Sequence, residues 1–233
     1  MDKNEQISTF IASLPADHYA SETEKAYFSQ YSECGFDMID LREYIWGKIN
    51  ERYRNLTFAG NREEPSVVNI LHLNTTNGGL LEHAPLNSEI TAWTLNYICK
   101  RITDFRCQDR ARYGKYYSQI RHLADYFALG HTNTNDKYDI VLCEPHPDEM
   151  VYVRIVDKEG FKNTQARKSG YYYLKRGKEF VAKNGLLVIQ APKLENTLLF
   201  GDFEKHKEPG LKPLYKYEGD NKNLYGVLIY EKL

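Results

Sequence analysis

Between Lys137 and Pro192 the hydrophobic pattern changes rhythm several times, and each change predicts an element. Ile140-Val141-Leu142-Cys143, entered through Tyr138-Asp139, is a continuous apolar run. Such runs suit a strand covered on both faces, as in a parallel sheet. The run ends in Glu144-Pro145-His146-Pro147, a loop of turn-favouring residues followed by Asp148 and Glu149. After a long polar stretch, the segment from Tyr171 reads as a helix stopped by Asn184-Gly185. A second buried strand, Leu186-Leu187-Val188-Ile189, follows at once. Strand, loop, helix and strand in that order make a right-handed crossover. Open α/β sheets bind ligands beyond the carboxyl ends of their strands, which directs attention to the Glu144–Pro147 loop.

Upstream, Val67–Leu73 predicts a first strand and Asn74–Gly79 a turn of small polar residues and glycines. Ala92–Ile102 is helical in pattern, and Tyr117–His122 predicts a strand leading to a loop acid, Asp125. Leu224–Tyr230 predicts the final strand, reached through a Lys/Pro/Gly-rich connection over Lys205–Pro213. Residues 1–60 read as a helical segment. Ser21–Glu24 can cap a helix through Lys25, Ala26 and Phe28. Met38, Leu41, Tyr44, Ile45 and Ile49 recur at helical spacing. The polar break from Gly60 to Pro65 divides this segment from an α/β domain over residues 61–233. There is no internal repeat.

Composition narrows the function classes. Thirty-one Lys+Arg against 32 Asp+Glu leave a formal charge of −1, so any nucleic-acid contact must come from a local patch. One such patch is the basic stretch Arg154–Ser169, which otherwise reads as a solvated face. Cys34, Cys99, Cys107 and Cys143 have no spacing that suggests zinc, and reduced thiols are expected. No membrane-spanning run or leader is evident, so the expectation is a soluble, cytoplasmic protein. The 19 tyrosines include Tyr116-Tyr117 and Tyr171-Tyr172-Tyr173, which serve either as core-edge residues or as base-stacking groups.

The layout resembles the S-adenosylmethionine-dependent methyltransferase superfamily, and more narrowly the N6-adenine DNA methylases of the type I modification class. In those enzymes a hydrophobic strand ends in Asp/Asn/Ser-Pro-Pro-aromatic, matched here by Glu144-Pro145-His146-Pro147; a Lys-x-Gly-Gly-like turn is matched by Lys183-Asn184-Gly185. The resemblance implies a doubly wound, mostly parallel Rossmann-like sheet with N-terminal helices outside it, and the strands Val67–Leu73 and Tyr138–Cys143 side by side. It also implies S-adenosylmethionine as cofactor. Against the family pattern Asp-Pro-x-x-Gly-x-Gly-Gly stands His72-Leu73-Asn74-Thr75-Thr76-Asn77-Gly78-Gly79. Asn74, Thr76, Gly78 and Gly79 would then form the glycine turn, Glu89 would bind the ribose and Asp125 the adenine amino group. His72, at the position of the family's leading acid, reads as a satisfied strand-end histidine.

By the same resemblance Glu144 would accept an N–H of an extruded substrate base, with the Pro145 carbonyl accepting the other. His146 and Pro147 complete that loop. Glu144 is one methylene longer than the family's residue, and Pro147 has no aromatic face. DNA would be a partner through a separate specificity subunit, since the chain has no room for a large target-recognition domain. Three readings stand: an adenine methylase, a non-catalytic module on the same fold, and a methyltransferase acting on RNA or a small molecule.

Overall fold

A computed structural model describes residues 3–14, 39–59, 67–75, 78–85, 87–94, 97–120, 136–143, 174, 177–192, 200–201, 203–205, 208–218 and 225–233. The expected Ser21–Phe28 helix, the Gly60–Pro65 break, the Arg154–Ser169 stretch, Cys34, Thr76, Asp125 and the Glu144–Pro147 loop lie outside them. Seven strands form one sheet: β1 (Val68–Thr75), β2 (Ser88–Thr94), β3 (Tyr116–Ile120), β4 (Tyr138–Cys143), β5 (Val181–Pro192), β6 (Leu211–Tyr217) and β7 (Tyr225–Lys232). Their order is β3-β2-β1-β4-β5-β7-β6. β1 runs parallel to β4, β4 to β5, and β2 to β3, whereas β7 is antiparallel to both β5 and β6. This is the doubly wound, mostly parallel sheet that the resemblance implied. The strand order reverses direction between β1 and β4, the place where such sheets open a ligand crevice.

The chain divides into two compact units, residues 1–67 with 74–132, and residues 68–73 with 133–233. The core of the second is the pairing of the two apolar strands read from sequence. Ile70, Leu71, His72 and Leu73 stand in register with Ile140, Val141, Leu142 and Cys143. Leu186–Ile189 continues the same rows on the far side of β4. Consecutive residues are buried in β1, β4, β5 and β7 alike, so both faces are covered. Each such aliphatic side chain contributes about 1.5–3 kcal/mol on burial. Burial also pushes the Cys143 thiol well above its usual range, leaving it a small apolar filler.

The Asn184-Gly185 turn has a different place from the one expected. Residues 177–180 are helical and pass directly into β5 at Val181. Val181 pairs with Tyr138 and Leu186 with Ile140, so residues 182–185 bulge out within the strand. Asn184 adopts a left-handed conformation (φ 64°), which an asparagine tolerates. Gly185 is required by space: a Cβ there would stand 2.7 Å from the Asp139 carbonyl oxygen and 3.0 Å from that of Ala182. At the other sheet margin, Leu211–Tyr217 is a strand where a linking segment was expected to run as far as Pro213. Pro213 is accommodated beside a register shift between Pro213 and Tyr215, on a strand at the edge of the sheet.

The first unit gathers α1 (Lys3–Ser13), α2 (Ile39–Ala59), α3 (Gly79–Glu82), β2, α4 (Tyr97–Arg106), α5 (Gln108–Arg112) and β3. The helices of residues 1–60 belong to this unit with β2 and β3. Ile11 of α1 is buried with Ile98, Cys99 and Ile102 of α4, and Phe10 stacks on Phe105 at 4.7 Å. Ile45 and Ile49 are buried on α2, as the spacing predicted, and Trp46 is buried beside them. The helix expected over Ala92–Ile102 is a strand followed by a shorter helix. Ser88–Thr94 carries Ile90, Trp93 and three hydroxyl-bearing residues, and it buries alternate positions at its start before pairing with β3. The helical period begins only at Tyr97.

The β5 bulge gives a contrast between neighbours. Gly185→Ala should lower the unfolding free energy by about 1–3 kcal/mol, because the clash is with backbone. Asn184→Gly should be neutral or stabilise by up to about 1 kcal/mol, because it removes a left-handed side chain. Urea midpoints of the two variants at constant m-value measure this; equal losses would show that the bulge is not the constraint.

Candidate functional site

The segment after β1 carries the expected glycine turn. Gly78 is left-handed (φ 72°, ψ 4°) and caps the four-residue helix α3, in which Gly79, Leu80 and Leu81 are buried. The left-handed Gly78 leads directly into the helix. Its need for glycine, however, has a cause inside the fold. A Cβ on Gly78 would stand 2.9 Å from Cγ2 and 3.0 Å from Cα of Thr103 on α4. Thr103 in turn donates its hydroxyl to the Cys99 carbonyl at 2.8 Å.

Three helices hold this connection from outside. The Trp46 indole N–H of α2 donates to the Leu80 carbonyl at 2.8 Å in a buried site. Arg106 of α4 pairs with Glu82 at 3.0 Å, with the arginine side chain 3% exposed. Arg110 of α5 donates to the carbonyls of Ala84 and Pro85 and, at 3.3 Å, to Ser88 Oγ. The glycine turn is thus fixed by packing, by the Trp46 and Arg110 donors to carbonyls and by the Arg106–Glu82 pair. Gly78 and Gly79 are both buried in it.

The remaining expected cofactor residues are dispersed. Asn74 lies near the end of β1. Glu89 is corrected: it is the second residue of β2 and faces solvent, not the start of a helix. Ribose-binding acids sit past the carboxyl end of a strand, and Glu89 lies five residues short of Thr94, about 16 Å at the rise of a strand. In the chain, Leu95 and Asn96 are what follow Thr94. The β-branched and aromatic content of Ser88–Thr94 was the signal that could have placed the strand, and with it this end.

Other chemistry-bearing clusters are structural. Asp104 accepts from Lys100 at 2.6 Å, Tyr116 Oη at 2.8 Å and Ser118 Oγ at 2.5 Å, while Lys100 also reaches Ser118 at 2.8 Å. A serine beside a lysine suggests a nucleophile and base, but both side chains donate to the Asp104 carboxylate. Burial drives the Tyr116 phenol far up, so it stays protonated and pins β3 to α4. His72 is fully buried in β1 opposite Leu142, a core position. Among the described residues no group of three His, Cys, Asp or Glu could hold a metal ion. No described helix is long and apolar enough to cross a membrane.

Neither the known protein-family models nor the curated proteins give a sequence match. Solved structures do match in shape. A provisionally assigned O-methyltransferase from Klebsiella pneumoniae aligns over 100% of this chain and 90% of its own, with TM-score 0.53 and 10% identity. A provisionally assigned methyltransferase complexed with SAH aligns over 70% of this chain and 45% of its own, with TM-score 0.51 and 13% identity. A provisionally assigned SAM-dependent methyltransferase from Streptococcus mutans gives 71%, 45%, 0.51 and 13%. The chain has the α/β methyltransferase fold. At these identities the likeness extends to the fold, and one fold hosts many activities.

Two substitutions separate packing from ligand contact at the glycine turn. Gly78→Ala should destabilise by about 2–4 kcal/mol, combining a positive φ with a backbone-level clash. Trp46→Phe should cost about 1–3 kcal/mol by leaving the Leu80 carbonyl unpaired. Chemical denaturation without any ligand measures both; a fully stable Gly78→Ala would reassign that glycine to ligand approach.

Proposed function

We propose that this chain is an S-adenosylmethionine-dependent methyltransferase whose acceptor is an amino group on a heteroaromatic base, related to the N6-adenine methylases. The observation that carries the reading is the reversal of strand order between β1 and β4, which run parallel and in register as far as Leu73 and Cys143. The next residues in the chain beyond Cys143 are Glu144-Pro145-His146-Pro147. Bound S-adenosylmethionine supplies a methyl group on a positively charged sulfur, ready for attack by a nitrogen lone pair.

The left-handed Gly78 turn suits close approach of the cofactor's methionine end. Asp125 is proposed for the adenine amino group and Asn96, in place of Glu89, for the ribose hydroxyls. Glu144 would accept one N–H of the acceptor amine and the Pro145 carbonyl the other, which localises the lone pair on nitrogen. His146 and Pro147 would bound the ring. DNA is the proposed macromolecular partner, engaged with a separate specificity subunit.

A second reading is favoured by one specific observation. Thr103 and the Trp46, Arg106 and Arg110 contacts account for the glycine turn without a ligand. On that reading the fold serves as a non-catalytic binding module. RNA or a small molecule replaces DNA in the third.

Calorimetry and thermal melting with S-adenosylmethionine decide first. Cofactor at ~100 times its dissociation constant should stabilise the protein by about 2.7 kcal/mol. Asp125→Ala should weaken that binding at least tenfold. Transfer of a labelled methyl group to DNA, RNA and small heteroaromatic amines then assigns the acceptor. Glu144→Ala should abolish transfer and leave cofactor affinity within twofold. No binding by the unmutated chain would leave the module reading in place, and activity surviving in Glu144→Ala would remove that loop from the chemistry.

A further inference from the structure

The carboxyl end of β5 holds a polar group that the reading above does not use. Gln190 follows Ile189, which stands in register with Cys143 at the end of β4, and it pairs across β7 with Val227. Side chains alternate across a sheet, so Leu186, Val188 and Gln190 share one face with Ile140 and Leu142 of β4 and Val227 and Ile229 of β7. The opposite face carries its own cover. A Cβ on Gly177 would meet Leu187 and Cys143, and one on Gly226 would meet Phe200. Gln190 therefore ends a row whose nearest members, Val188, Val227 and Ile229, are aliphatic, with Glu231 opposite Leu186 at the far end and His72 beyond Leu142.

Gln190 is 5% exposed, and its amide nitrogen is sealed from solvent with no hydrogen-bond partner among the described residues. Turning the amide over does not help. It exchanges an unspent donor for an unspent acceptor at the same sealed position. A methionine or leucine would cover the stripe equally well and leave nothing unsatisfied. Buried polar groups without partners are rare in folded proteins and mark places where a partner is missing.

We infer that Gln190 is the recognition group of a binding site at the carboxyl end of β5 for a neutral, planar, nitrogen-bearing ring. A primary amide is uncharged and offers a donor and an acceptor side by side. It therefore selects a neutral ring edge that presents a ring-nitrogen acceptor next to an amino donor, as glutamine does with adenine. An anion would leave the amide oxygen unsatisfied. The site stands on the strand ends alone; that its occupant is the methyl acceptor rests on the proposed methyltransferase reading.

The probe is 2-aminopyrimidine, which has that edge, with aniline as the control that keeps the amine and lacks the ring nitrogen. Titration of the full chain is followed through the Gln190 side-chain amide signals in 15N–1H spectra, identified by their loss in Gln190→Met. The expected result is that 2-aminopyrimidine shifts those signals saturably, aniline does not, and Gln190→Met weakens binding at least tenfold. Gln190→Met, and Gln190→Leu as a second variant, should melt at the same temperature as the parent or about 2–4 °C higher, because an unpaired amide has been removed. Unshifted signals, equal response to aniline, or a lower melting temperature in both variants would overturn the assignment. S-adenosylmethionine is absent from every arm, so a failed cofactor titration and a failed 2-aminopyrimidine titration are separate results.

Discussion

Asp139 ties together the three strands on which the ligand end of this sheet depends. Its carboxylate accepts the Asn69 backbone N–H of β1 at 2.9 Å, outside the regular ladder. Its own carbonyl lies against Gly185 of β5, where no side chain fits. One residue therefore sets β1 against β4 on one side and the β5 bulge against β4 on the other. Side-chain period in a strand is two, so a slip of one residue would turn every buried aliphatic of these strands to the wrong face. With the register held, Leu73, Cys143 and Ile189 stand level with one another across β1, β4 and β5.

The connection after β1 shows the opposite balance. Crossovers between parallel strands generally carry a full helix; this connection carries the four residues of α3. A helix that short cannot hold itself in water, since nucleation is unfavourable and few bonds follow it. Its order comes from neighbours: the Trp46 indole, the buried Arg106–Glu82 pair and the Arg110 donors to Ala84 and Pro85. Removing one partner of a buried pair costs more than the pair contributes, so Arg106 and Glu82 act as a unit. The glycine turn is thereby pre-organised, whatever then approaches it.

What was legible in sequence follows the same physics. β1, β4, β5 and β7 announced themselves because strands buried on both faces read as near-continuous apolar runs, here short and bounded by turn residues. The α2 stripe was legible from Ile45 and Ile49. β2 was not, because Ser88, Thr91 and Thr94 break the alternation and a helical spacing can be drawn through Ala92, Ile98 and Ile102. β6 was hidden by Pro213, which removes a ladder donor and is tolerated only on an edge. Gly185 was read as a helix stop because the local signal for a left-handed turn is the same in a bulge. Of the candidate site, the Gly78 turn was legible and Glu89 was not, since its meaning depended on whether a strand or a helix came next. Gln190 gave no local signal: a glutamine near a strand end is ordinary until its burial is known.

That last point separates the polar residues near the ends of these strands. Cys143 is buried, and its thiol is held protonated by burial, so it behaves as an apolar filler. His72 is buried within the β1–β4 rows and stands opposite Leu142. Gln190 is buried yet keeps an unspent amide, at the one end of the sheet where α/β proteins place ligands. Folding alone gives no reason to retain it, because an aliphatic side chain there would be more stable. Residues that lower stability without serving the core persist where function requires them. The three positions are all close to a strand end and all out of solvent; Gln190 lies furthest toward the carboxyl end of the sheet, beyond the level of Cys143, and that placement sets its amide apart from a residue of the core rows.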